Sequence, residues 1–351
     1  LMKMREAAGA AGLLDQAKAL RAASGAMNRL LYRDEIESFL RTPSCRGFQL
    51  LGMQDFTGQG EAMVGWLDPF YESKGTTRAE EFRKYCAPTV PLLELPGYVF
   101  GMSEKPVVKA LLHHYGKSDL TDAGVTWCLS GPDGEALDSG SLARRNFTTG
   151  AVHDCGVFTP SFAKVKRACQ CSLEIRVGDA GLSNSYPIWV FPERADVDPK
   201  DVFVTNEWNG ATKDKLRQGG KVLLLANGLG GRAASELAQW QPLYWSVPFF
   251  PGQNRDTLGL LVRNGHPAFR GFPTEGFGGW NWFRICQGAK GFDLTDLVPH
   301  GFRPMAQPVT DFHLNRRIGS IFEVKAGGGS LLVCGYDLGD ERAGRFPEIA
   351  S

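Results

Sequence analysis

From Cys169 to Val177 the chain alternates without a break: Cys169, Cys171, Leu173, Ile175 and Val177 stand at the odd positions, with Gln170, Ser172, Glu174 and Arg176 between them. Successive side chains of a β-strand point to opposite faces, so a period of two gathers the apolar residues on one face and the polar ones on the other. The same residues in a helix would scatter their apolar groups around the axis. This segment must therefore be a strand covered on one side. Residues 186–191 form a second apolar run, and residues 125–129 and 136–139 flank Gly131-Pro132-Asp133-Gly134, a turn sequence. Short strands with regular turns predict an immunoglobulin-like β-sandwich over residues 91–195.

On either side of this block the periodicity changes. Residues 12–24 carry Leu13, Leu14, Ala17 and Leu20 at helical spacing, and residues 26–41 carry Leu30, Leu31, Ile36, Phe39 and Leu40. Gly25 is expected to separate two helices, and Pro43 to end the second. Gly47-Phe48-Gln49-Leu50-Leu51-Gly52-Met53 is short, apolar and bounded by glycine, as a buried parallel strand would be. A polar, glycine-rich loop follows at 54–60, then a helix at about 77–85. Helix, strand, loop and helix predict the closing βα unit of a (β/α)8 barrel within residues 1–90, the remnant of a larger barrel. Downstream, a strand at 202–204, a helix at 211–218 ended by Gly219-Gly220, and strands at 221–226 and 258–262 predict an α/β layer fold of flavodoxin-like type over residues 196–351. Residues 318–324 should pair with 330–336 across the turn at 325–329. The expected fold is thus multidomain, α/β plus all-β.

Composition narrows the function. A net charge of +1 offers no basic surface, so no nucleic-acid partner is expected. No apolar run reaches the ~20 residues of a membrane helix, so no membrane partner is expected either. The eight cysteines are dispersed and read as buried free thiols; Cys169 and Cys171 are close in sequence, but no second pair completes a zinc site. His113-His114 and His153-Asp154-Cys155 are adjacent strand residues whose side chains diverge, so neither reads as a metal or thiol-catalytic site. Gly327-Gly328-Gly329 lacks the Lys-Ser/Thr of a phosphate loop. No metal and no cofactor are expected. The aromatic residues, 8 Trp, 22 Phe and 8 Tyr, suit thick cores and also platforms on which sugar rings pack.

The runs Tyr32-Arg33-Asp34-Glu35-Ile36-Glu37, Gly47 through Gly60, Val64-Gly65-Trp66-Leu67-Asp68, Ser73-Lys74-Gly75 and Asn184-Ser185-Tyr186-Pro187-Ile188-Trp189-Val190 resemble a bacterial branch of glycoside hydrolase family 2, which is β-galactosidase-like. So does the tail with Phe272-Pro273-Thr274-Glu275 and Asn315-Arg316-Arg317-Ile318. The resemblance implies a hydrolase of glycosidic bonds in oligo- or polysaccharides. Its nucleophile and acid/base Glu would lie upstream of Leu1, so that these residues form the C-terminal portion. The opening Leu1-Met2-Lys3-Met4 has no signal-peptide core; the resemblance implies an extracytoplasmic location, with any signal upstream.

In the loop after the expected barrel strand, Asp55 is the candidate acceptor of hydrogen bonds from sugar hydroxyls, or else a brace for the loop around Gly58 and Gly60. Gln54 and Gln59 are candidate sugar contacts, and Phe56 and Trp66 are platforms or packing. Glu35 and Glu37, on a helix, read as a solvated or ion-paired face. The last domain resembles the glutamine-amidotransferase-like modules of several β-galactosidase groups. No Cys stands at the turn after 258–262, where Arg263, Asn264, Gly265 and His266 follow, so it reads as catalytically inert. The partners expected are a carbohydrate substrate and, through such modules, a second copy of the chain. The other reading is a non-catalytic, carbohydrate-associated accessory or scaffold protein.

Overall fold

The computed structural model describes residues 2–45, 47–56, 65–178, 181–193, 199, 201–230, 252, 258–311 and 313–350, and the backbone of 234–236. The fold is mixed α/β, with more strand than helix. The chain divides into two units, Arg29–Glu193 and Leu1–Asn28 with Arg194–Ala350. Helix α1 is Met2–Ala10, and α2, Ala17–Arg41, gives its first residues to one unit and the rest to the other. The expected break at Gly25 does not occur: α2 runs through it. One glycine costs a helix only ~1 kcal/mol, less than a long helix gains by packing.

The unit Arg29–Glu193 is built on eight strands preceded by α3 (Ala79–Arg83): β1 (Thr89–Glu94), β2 (Val99–Gly101), β3 (Val108–His114), β4 (Leu120–Ser130), β5 (Ala136–Phe147), β6 (Ala151–Phe158), β7 (Cys169–Val177) and β8 (Leu182–Phe191). They form an antiparallel sheet β1-β3-β6 and a sheet β2-β8-β7-β4-β5, antiparallel except for the β2–β8 pair. The alternation of β7 is reproduced in its burial, every odd residue inward. Leu173, Ile175 and Val177 meet Val108, Ala110 and Leu112 in one core, each Leu, Ile or Val contributing about 1.5–3 kcal/mol by its burial. Trp127 stacks on Phe158 at 4.5 Å between centroids. It also covers Gly140, where a Cβ would fall 2.8 Å from the indole nitrogen, so β5 must be bare there.

Strands β1 and β3 are buried on both faces. Leu93 points into the sandwich core, while Val90, Leu92 and Leu111 meet Ile36 and Leu40 of α2 and Tyr85. The helix is thus a third layer over the smaller sheet, which explains why β1 lacks alternation.

The second unit holds β9 (Val202–Thr205), α4 (Gly210–Arg217), β10 (Lys221–Leu225), β11 (Ala234–Glu236), β12 (Leu260–Val262), β13 (Lys290–Asp293), β14 (Ala306–Pro308), β15 (Ile318–Gly319), β16 (Ile321–Ala326) and β17 (Gly329–Cys334). The main sheet has the order β12-β14-β16-β17-β10-β9, and a small one the order β11-β13-β15. Only β17-β10-β9 is parallel; the pairings from β12 to β17 are antiparallel. A flavodoxin-like sheet would be parallel throughout, and among the described residues this one is not. The expected hairpin forms with other bounds: Ile321–Ala326 pairs with Gly329–Cys334 across the two-residue turn Gly327-Gly328, at φ +58° and +93°, the backbone of a type I′ turn, while Ile318 pairs with Asp293 in the small sheet. The described residues 47–56 contain no strand, which corrects the expected barrel strand at 47–53. Phe48 stacks on Phe39 of α2, but Leu51 and Met53 are 89% and 48% exposed, so among the described residues the run is not walled in on both faces as a barrel strand would be.

Candidate functional site

The segment expected to carry function is a braced loop. Asp55 N donates to the Leu67 carbonyl at 2.9 Å, and Leu67 N to the Met53 carbonyl at 3.0 Å, a bridge too short to be a strand. Gly65 lets the two stretches touch: a Cβ there would lie 2.3 Å from the Gln54 carbonyl carbon. Oδ1 of Asp55 accepts from Gly65 N at 3.0 Å and from Lys74 Nζ at 2.8 Å, with the Asp55 side chain 11% exposed. Oδ1 of Asp68 accepts from Phe70 N and Glu72 N, and that turn holds Tyr71 at φ 65°. Both carboxylates thus organise backbone.

Of the other candidates, Gln54 takes part in the backbone bridge to Leu67. Phe56 is 57% exposed, while Trp66 is buried and meets Tyr32 and Phe82 edge-on, so Trp66 is packing. Gln59, with Gly58, Gly60 and Glu61, lies outside the described residues.

A second polar cluster escaped sequence reasoning. Glu37, expected on a helix face, is 1% exposed. Its Oε1 accepts from Arg33 Nε at 2.8 Å, and its Oε2 from Arg41 at 3.4 Å, so the ion-paired half of the expectation holds and the solvated half does not. Arg33 also donates to Asn184 Oδ1 and to the Ser185 carbonyl, both at 2.9 Å, and lies over the Tyr186 ring at 4.6 Å. Asn184 Nδ2 reaches the Pro91 carbonyl at 3.1 Å. Burial alone would weaken the Arg33 charge; the Glu37 carboxylate, with smaller contributions from Tyr186 and Tyr98, offsets this and holds the guanidinium above its ordinary pKa. Burial pushes the Tyr186 phenol well up. The arrangement pins α2 to β1 and β8 of the same unit. The signal for it was the i, i+4 spacing of Arg33, Glu37 and Arg41, which by itself is equally that of an exposed helix face.

The histidines and thiols divide as strand geometry requires. His114 is buried between Thr89 Oγ1 and the Ser118 carbonyl, and His113 turns the other way to the Leu40 carbonyl. His153 Nε2 lies 2.7 Å from the Thr148 carbonyl oxygen, and burial raises the Cys155 thiol to about 12. In the last unit His266 sits at the turn after β12 and its ring caps Ala268 N. Cys286 lies in a turn, not in the expected helix, and Cys334 ends β17; burial raises these thiols to about 12 and about 11, which leaves them poor nucleophiles. Among the described residues no three His, Cys, Asp or Glu gather as metal ligands, and no helix is long and apolar enough to cross a membrane.

Two family models match, both described as domains of unknown function: DUF8488 over residues 104–192 and DUF8487 over residues 203–349, one within each unit. No curated protein matches the chain. Solved structures that match in part include the alkylpurine DNA glycosylase AlkC of Pseudomonas fluorescens, at 12% identity and TM-score 0.25, over 30% of this chain and 31% of that one. The CARDB domain of the PF1109 protein from Pyrococcus furiosus matches at 8% identity and TM-score 0.23, over 30% and 93%. The β-glucuronidase of Parabacteroides merdae matches at 11% identity and TM-score 0.21, over 29% and 13%. The chain spans about a third of the first of these.

Proposed function

We propose that these residues are the C-terminal portion of a glycoside hydrolase of the family 2, β-galactosidase-like type, acting on glycosidic bonds of oligo- or polysaccharides. In this reading the sandwich is immunoglobulin-like, the last unit is an inert amidotransferase-like module, and residues 1–90 are the C-terminal part of a barrel begun upstream. The observation that carries the reading is the Arg33–Asn184 contact. The runs at 32–37 and 184–190 resemble the family independently, and their residues are physical partners in one buried network. Tyr32 of the first run likewise meets Trp66, and Asp55 meets Lys74, the last three from the other runs.

Retaining glycosidases need two carboxyls about 5–5.5 Å apart, one as nucleophile and one as acid/base. Those would come from the upstream barrel, and this chain would add sugar contacts from Asp55, Gln54, Phe56 and Gln59. Lys74 and Gly65 N would fix the Asp55 carboxylate toward the substrate. One observation favours the second reading, a non-catalytic accessory protein: Oδ1 of Asp55 already holds two donors. Kinetics separate the two. In the complete gene product Asp55→Ala should lower kcat/KM about 10–100-fold, as loss of a charge-assisted sugar contact does. An unchanged kcat/KM would reduce the loop to a structural brace.

A further inference from the structure

We infer that Cys169 and Cys171 are a modification site, closing reversibly into a disulfide within β7 when the protein meets a peroxide. Their sulfurs lie 3.6 Å apart on the inward face of the strand, and the two residues are 8% and 2% exposed. Residues i and i+2 of a strand are about 6.4–6.8 Å apart at Cα, which reaches the upper end of what a disulfide spans. The sulfurs must still close to about 2.05 Å, so the strand has to bend. It can do so at its start: Cys169 is the first residue of β7, and only its pairing with Val190 lies at that end.

The surroundings favour a disulfide over a bound soft metal. Both cysteines belong to the apolar core with Leu173 and Val190. A two-thiolate complex of a monovalent soft metal such as Cu(I) would leave a lasting negative charge in that core, whereas a disulfide is neutral. No third ligand gathers there among the described residues.

The two sulfurs are not equivalent. Either sulfur can donate in their contact; with Cys171 as donor the Cys169 thiol falls below its ordinary pKa, against burial and Glu135 and with Arg167 assisting, and Cys171 rises above its own. Cys169, the more exposed, therefore supplies the attacking thiolate. It displaces hydroxide from hydrogen peroxide, the O–O bond breaks, and the hydroxide takes the proton that Cys169 released, leaving Cys169 as a sulfenic acid and one water. The Cys171 sulfur then attacks the sulfenic sulfur; the S–O bond breaks, and a second water leaves with the Cys171 proton. Two thiols are oxidised to one disulfide, and one peroxide is reduced to two waters. A ring this small constrains the unfolded chain little, so reduction by a dithiol should be easy.

The test treats the folded full chain with hydrogen peroxide, alkylates the remaining thiols and digests with trypsin. Cleavage after Arg167 and Arg176 leaves both cysteines on one peptide. The expected result is loss of the doubly alkylated peptide and appearance of an unalkylated one lighter by two hydrogens, reversed by dithiothreitol. In Cys171→Ala the sulfenic acid should persist on Cys169 and be captured by dimedone. Full alkylation of both cysteines after peroxide, or over-oxidation of Cys169 in the wild type without a bridge, would overturn the proposal.

Discussion

The guanidinium of Arg33 stands 2.9 Å from the side-chain oxygen of Asn184, so that a helix residue and a strand residue 151 positions apart share one buried ion-pair network with Glu37. Removing one partner of such a network strands the other. Arg33→Ala should cost the sandwich unit about 3–5 kcal/mol, because it leaves Glu37 with only longer contacts, to Arg41 at 3.4 Å and to Asn184 Nδ2 at 3.3 Å. Glu35→Ala, on the exposed side of the same helix, should stay within about 0.5 kcal/mol. Urea unfolding of the two variants checks this, and equal midpoints would contradict it.

The brace at Asp55 makes a separate prediction. Gly65 N donates to the carboxylate that Lys74 also holds, so either Asp55→Ala or Lys74→Met should speed hydrogen exchange at the Gly65 amide. Because the two side chains act on one contact, the double variant should add little, with a coupling of about 0.5–3 kcal/mol. Additive effects would show that the pair is not a unit.

Two glycines of the last unit should respond oppositely to alanine. At Gly329 a Cβ would lie 2.2 Å from the Gly220 carbonyl oxygen, and backbone cannot yield there. Gly329→Ala should cost about 1–3 kcal/mol or more. Gly210 begins α4 with open space around it, so Gly210→Ala should be neutral or stabilise by up to about 1 kcal/mol. Thermal unfolding distinguishes them.

His113 supplies a pH dependence. Burial lowers its pKa below 6.5, with the Leu40 carbonyl opposing. As pH falls the unfolded chain takes up the proton first, so the contribution is fully present above 6.5 and is lost as pH drops toward the folded value. His113→Gln should therefore flatten the decline in stability on acidification below about pH 6.5, measured by denaturant midpoints. An unchanged slope would contradict the sign.

Legibility followed how local the cause was. The alternation at 169–177 and the hairpin β16–β17 could be read because side-chain period and turn glycines are written in neighbouring residues. The helix α4 was legible for the same reason, and its cap, Asn209 on Thr212 N, lies three residues away. The apolar run at 47–53 misled because strand-forming composition does not say whether a partner exists, and Leu51 has no cover. Glu37 misled in the opposite sense: its burial depends on Asn184 and Tyr186, which no window around the helix contains. The parallel pairing of β10 with β17 was hidden too, since it joins strands far apart in sequence. Asp55 was legible as a loop residue, but its partner Lys74 was not.

The most direct test of the glycosidase reading compares initial rates of para-nitrophenyl β-galactoside hydrolysis by these 351 residues and by the complete gene product that contains them. The account predicts turnover by the complete product, lost when either of two upstream Glu residues is changed to Gln, and none by the 351 residues alone. Hydrolysis by the 351 residues themselves, or inactivity of the complete product on every aryl glycoside tried, would contradict it.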